Sequence, residues 1–331
     1  MDPLVFVLVA GAAVLHVTWN VLLKTAGDPL LAAAVGLGTA AAVLSPIALV
    51  AWLAIGRPEV PPETLVLSVL SGALEALYFA FLAAAYRRGD LSLVYPLARG
   101  SAPLLAVAIG VAVLHERLGP VGFLGVAALI GGILALQRPW RYLRQSGREH
   151  GGASGFALLT GITIAAYSAV DRVGVRGTEP WIYAALIYLS GTAFLWAYVW
   201  AYRRRRASVA PTSAGMAGAR SVAGARSVAG GGSGRAASAG TDAAEPVVVA
   251  RFSARRAGIG GMMTLVAYLL ILIAFTLAPL TAVAPLRESA IVLASGWGAF
   301  RLREAADRAD AVRRIAAAGL VVLGAILLAI D

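Results

Sequence analysis

The sequence predicts an all-α membrane protein whose ten transmembrane helices form two inverted five-helix repeats. Three observations predict it: an apolar composition, apolar segments of membrane-crossing length, and short motifs that recur once in each half. Of 331 residues, 60% are hydrophobic and only 14% are charged, with a mean hydropathy of +0.80. Soluble domains carry about a quarter charged residues, so lipid is the expected main solvent. The chain has no cysteine, which excludes disulfides, thiolate catalysis and cysteine-zinc sites. Most of its formal charge of +11 comes from arginines between apolar segments, where anionic headgroups are the expected partners rather than nucleic acid.

A helix needs about 20 apolar residues to cross the roughly 30 Å hydrocarbon core, and lipid leaves the backbone few alternatives. On that ruler the spans fall at 3–24, 31–55, 64–86, 91–114 and 119–137, then at 154–174, 181–202, 258–277, 280–300 and 312–330. The first five make one repeat over 1–140 and the second five another over 153–331. Only Ala278 and Pro279 link the eighth and ninth spans, so those two form a tight hairpin. The first span lacks a basic leader and runs into Asn20 and Lys24, so no cleavable signal peptide is read there. The second repeat is interrupted by 203–256, a Gly/Ala/Ser/Arg-rich stretch opening on Arg203 to Arg206. Such sequence cannot bury a core and is expected to be a disordered loop.

The repeat shows in the positions of polar residues. Subtracting 151 maps Tyr167 onto His16, Asp171 onto Asn20 and Pro180 onto Pro29. Tyr95-Pro96-Leu97-Ala98-Arg99 has its counterpart in Ala284-Pro285-Leu286-Arg287, and each arginine precedes a glutamate by 17 residues (116 − 99 and 304 − 287). An odd number of helices per half turns the second copy over, as in many secondary transporters. Arg87, Arg88, Arg138, Arg141 and Arg203 to Arg206 bias the odd-numbered loops to the cytoplasm, with both termini outside the cell membrane.

A charged residue at bilayer depth costs roughly 2.5–3.5 kcal/mol on insertion scales, so each is a candidate for function. His16, Asn20 and Lys24 share one face of the first span, with Trp19 beside it. That face reads as a cavity wall, or as hydrogen bonding by Asn20 and snorkelling by Lys24. The third span carries a stripe of Ser68, Ser71, Glu75 and Tyr78. An unpaired carboxylate at the depth of Glu75 either takes up a proton, which suits coupling, or pairs with Lys24, Arg99 or Arg287. Pro96 and Pro285 each remove a helical hydrogen bond, and matched breaks in inverted halves point to a midplane site. There Arg99 and Arg287 would clamp a carboxylate or phosphate, unless Arg287 pairs with Glu288 or Glu75 to hold the fold. Tyr95, Tyr167 and Tyr268 join Trp19, Asn20, Glu75, Tyr78, Arg99, Arg287 and Glu288 as candidate substrate-binding residues. Asp171 belongs to the same region or pairs locally with Arg172 near the membrane edge. Glu116 and Glu304, beside Arg117 and Arg303 at predicted helix ends, read as structural hairpin residues.

Three stretches resemble signatures of the EamA-type drug/metabolite transporter superfamily: His16-Val17-Thr18-Trp19-Asn20 ending at Lys24, Gly89-Asp90-Leu91-Ser92 with Tyr95-Pro96-Leu97 and Glu116, and Ala284-Pro285-Leu286-Arg287-Glu288-Ser289 with Glu304. The second copy departs near its end, where Glu304 to Gly324 is 20 residues against 15 from Glu116 to Gly131. The resemblance implies a secondary transporter exporting small metabolites such as amino acids by alternating access, with protons as the coupling ion to consider. The alternatives are a lipid-linked-sugar flippase and a non-transporting membrane subunit. The sequence holds no G-x-x-x-x-G-K-[ST], H-E-x-x-H or G-x-S-x-G run, so no enzyme, cofactor or metal is expected. The expected partners are a small-molecule substrate and membrane lipids.

Overall fold

Helices make up the architecture of the computed structural model, which describes residues 2–24, 28–88, 91–138, 151–209, 252–287 and 308–331. In chain order they are α1 (Pro3–Lys24), α2 (Pro29–Ala54), α3 (Pro62–Tyr86), α4 (Leu91–Ala112) and α5 (Pro120–Gln137). Then come α6 (Gly151–Gly174), a 3-10 turn (Val175–Gly177), α7 (Pro180–Val209), α8 (Ala254–Leu277), the helical stretch 280–287 as α9, and α10 (Arg308–Ile330). No strand occurs among the described residues. Of these helices, α2, α3, α6, α7 and α8 are long and apolar enough to cross a membrane, and α1, α4, α5 and α10 hold shorter apolar stretches.

Several helix starts follow directly from local chemistry. Pro29, Pro62 and Pro120 stand at the starts of α2, α3 and α5, where a missing N–H sacrifices no helical bond. Asp28 caps α2, its Oδ1 accepting from the backbone N–H of Leu30 at 3.0 Å and of Leu31 at 3.1 Å. Asp28→Ala is expected to cost about 1 kcal/mol, read as a lower Tm of the purified protein.

Three predicted boundaries are corrected. α7 continues through Arg203 to Arg206 as far as Val209, and α8 starts at Ala254, so helix takes in both edges of the predicted loop. Arginine is a good helix former and needs no apolar surroundings once the helix has left the lipid. α10 begins at Arg308, ahead of the predicted 312. The backbone also stays helical through Pro96 and Pro285 instead of breaking there. The remainder of the predicted loop, 210–251, and the ninth span beyond Arg287 lie outside the described residues.

The main helix contacts run between the two halves of the chain. α3 packs on α6 and α7, α8 on α1 and α2, α4 on α6, α2 on α7, and α5 on α10. Glycines let some of these crossings close. A side chain on Gly261 of α8 would collide with the backbone of Gly36 on α2. Gly125 of α5 and Gly324 of α10 form a reciprocal contact, a Cβ on either lying 2.9 or 2.6 Å from the other's carbonyl oxygen. One end of the bundle gathers arginines: Arg87 stands over the Tyr202 ring at 5.0 Å, and Arg203 reaches Asp28 at 3.9 Å.

Candidate functional site

The polar stripe on α3 is buried as its helical spacing requires, with Ser68, Ser71, Glu75 and Tyr78 all turned inward. Across from it, α1, α6, α8 and α9 complete a cavity of about 40 Å³. His16, Trp19, Glu75, Tyr78, Tyr167, Tyr268 and Arg287 supply its polar and aromatic walls, so six of the ten predicted site residues meet there. The volume admits a few waters and no metabolite. A smaller cavity shares Trp19, Leu37, Phe79 and Thr264 with the first and reaches Arg256 at the arginine-rich end.

Charge is divided across this wall. Arg287 of α9 sets its guanidinium 5.9 Å from the centre of the Tyr167 ring and 3.4 Å from Ser168 Oγ. Arg99 stands one layer back, buried, with Nη2 at 2.5 Å from His16 Nε2. It therefore acts on the cavity through His16 instead of lining it. Trp19 Nε1 approaches the other ring nitrogen of His16 at 3.2 Å. An imidazole with one N–H accepts from only one of those two donors at a time. Glu75 lines the same cavity as His16 and Arg287. Tyr78, Tyr167, Tyr268 and Tyr188 form a chain of ring contacts with centroids 6.0 to 6.5 Å apart. The side chains of Asn20, Lys24 and Tyr95, and residues Glu288 and Glu304, lie outside the described residues.

The alternative of an Asp171–Arg172 pair is overturned. Asp171 is fully buried and accepts from three hydroxyls: Ser71 Oγ at 2.5 Å, Tyr183 Oη at 3.3 Å, and Tyr268 Oη. Neighbours on a helix diverge by about 100°, so Arg172 leaves in another direction. Its Nε lies 3.3 Å from Glu116 Oε1 and its Nη1 donates to Phe275 O at 2.6 Å. Glu116 also accepts from the backbone N–H of Leu280 at 2.7 Å and of Thr281 at 2.9 Å, capping α9. The partners of Glu116 are thus Arg172 and α9, while the adjacent Arg117 is exposed. Together they tie the α4–α5 link, the end of α6 and the α8–α9 hairpin into one cluster.

Asp171, Ser71 and Tyr183 were not among the predicted binding residues. The available signal was the offset of 151, which pairs Asp171 with Asn20. No group of three or more His, Asp or Glu fit to hold a metal occurs among the described residues.

Comparison with known proteins agrees with this architecture. A solved crystal structure of a protein matches with a TM-score of 0.61 at 18% identity, covering 98% of this chain and 97% of that one. At that identity the likeness is one of fold. No curated protein matches the chain. Residues 4–137, which include α1 to α5 and the Glu75 stripe, match the EamA-like transporter family.

Proposed function

We propose that the protein is a secondary transporter that exports small zwitterionic metabolites, amino acids foremost, across the cell membrane by alternating access. Its ten spans form two inverted repeats, with both termini outside. One observation carries the substrate class: a buried cavity lined by the basic side chains of Arg287 and His16, the acidic Glu75 and several tyrosines. A carboxylate and an ammonium group on one small molecule match that lining, and the rings cover its apolar part.

The inverted repeat is supported by the helix contacts. Exchanging α1 with α6, α2 with α7, α3 with α8 and α5 with α10 converts the α1–α8 contact into α6–α3, and α2–α8 into α7–α3. It leaves α2–α7 and α5–α10 unchanged, and every one of these pairs is in contact. A cavity of about 40 Å³ must widen to admit an amino acid, which supports a cycle of constricted and open forms.

Counterflow in liposomes tests the reading. Vesicles preloaded with unlabelled L-phenylalanine or L-leucine are expected to take up the labelled amino acid through the wild-type protein. Arg287→Gln and Glu75→Gln each lower that exchange about tenfold, the equivalent of about 1.4 kcal/mol of lost binding. Movement of a lipid-linked sugar between leaflets, with no exchange of any amino acid, would refute the proposal in favour of a flippase.

A further inference from the structure

Asp171 lies behind the cavity wall, and its arrangement differs from that of a structural ion pair. A buried acid that only holds a fold is normally matched by a cation. Here, among the described residues, its hydrogen-bond partners are hydroxyls from α3, α7 and α8, and the adjacent arginine is engaged with Glu116. A hydroxyl has one proton to donate. Tyr268 donates its own to Asp171 Oδ2, and the same tyrosine lines the cavity beside Glu75, within reach of that carboxyl. With its proton committed, Tyr268 Oη has only lone pairs to offer Glu75. A carboxyl meets a lone pair favourably only by donating its acid proton.

We propose that Glu75, Tyr268 and Asp171 form a proton relay, in which Asp171 is a second proton-carrying group of the transport site. This rests on the transporter reading above. The step balances in atoms and charge. The acid O–H of Glu75 breaks as its proton passes to Tyr268 Oη, while the phenolic O–H breaks as its proton passes to Asp171 Oδ2. Tyr268 ends neutral, Glu75 ends ionised and Asp171 ends protonated. One negative charge has moved from behind the wall to the face that would meet a substrate ammonium group. Binding of that group therefore draws the proton toward Asp171, and its release sends the proton back.

Among the described residues, the charged and titratable groups around the pair are Tyr183 and Tyr188 of α7, Tyr167 on α6, Tyr78 of α3, His16 of α1 and Arg287 of α9, besides the relay itself. Arg287 favours one negative charge in the relay. Two carboxylates flanking one hydroxyl repel if both are ionised, so the pair retains one proton and titrates as a unit.

Infrared difference spectroscopy of the purified protein in lipid nanodiscs, titrated without substrate, tests this directly. The wild type is expected to show a carboxylic-acid C=O band that is lost or moved in Asp171→Asn and in Glu75→Gln. Tyr268→Phe keeps both acids and removes the bridge, so it shifts the band and separates the two titrations. A band unchanged in both Asp171→Asn and Tyr268→Phe overturns the relay. In proteoliposomes, uptake of labelled L-phenylalanine against its gradient is expected under an imposed pH difference and lost in Tyr268→Phe. Uptake driven by a sodium gradient at equal pH, and indifferent to a pH gradient, overturns it as well. If the wild type carries no L-phenylalanine at all, the substrate reading fails, and the infrared titration still decides the relay.

Discussion

Glu116→Ala is expected to destabilise the folded protein by about 3–5 kcal/mol, the usual penalty for stranding one partner of a buried ion pair. The side chains of Arg172 and Glu116 are only 12% and 9% exposed, so solvent does little to screen or replace the contact. Removal of the carboxylate leaves the guanidinium with Phe275 O and strips the caps from two backbone N–H groups of α9. Thermal unfolding in detergent measures the change. Arg117→Ala, at the exposed neighbour, is expected to stay within about 0.5 kcal/mol. Equal losses for the two substitutions would show that the contact is not what holds this end of the bundle.

Gly261→Val is expected to have the second largest effect, about 1–3 kcal/mol or more, through overpacking at the α2–α8 crossing. A Cβ there meets the backbone of Gly36, which cannot rotate out of the way as a side chain can. The helices must part, and the small cavity they border with Trp19 and Phe79 changes shape. Gly131→Ala makes the informative contrast, because nothing lies within 4 Å of its added methyl. It is expected to leave stability unchanged or raise it by up to about 1 kcal/mol through helix propensity. A Gly261→Val protein as stable as the wild type would mean that the two backbones do not approach so closely.

What was legible in the sequence was periodic or local. The stripe of Ser68, Ser71, Glu75 and Tyr78 could be read because helical spacing alone decides which residues share a face. Trp19 followed from its position beside His16 in the same way. The partners of Asp171 and Arg172 could not be read so. Ser71 and Asp171 are separated by 100 residues and Glu116 and Arg172 by 56, and adjacency in sequence suggested only a local Asp171–Arg172 pair as an alternative. Arg99 looked like a ligand clamp because charge at that depth demands a partner. One of its partners is His16, which the spacing along either helix does not disclose. The end of α7 was misplaced for another reason: loss of apolar character marks where a helix leaves lipid, not where its hydrogen-bond ladder stops.

Asp171 and Arg172 are consecutive on α6, yet one answers to the tyrosine-lined chamber and the other to the tie across the α4–α5 link. A stiff helix transmits rotation along its axis, so the two side chains behave as the arms of a single lever. A twist that pulls Asp171 away from Tyr268 also swings Arg172 relative to Glu116 and Phe275 O. The chamber and the tie across the α4–α5 link are thereby joined through one peptide bond.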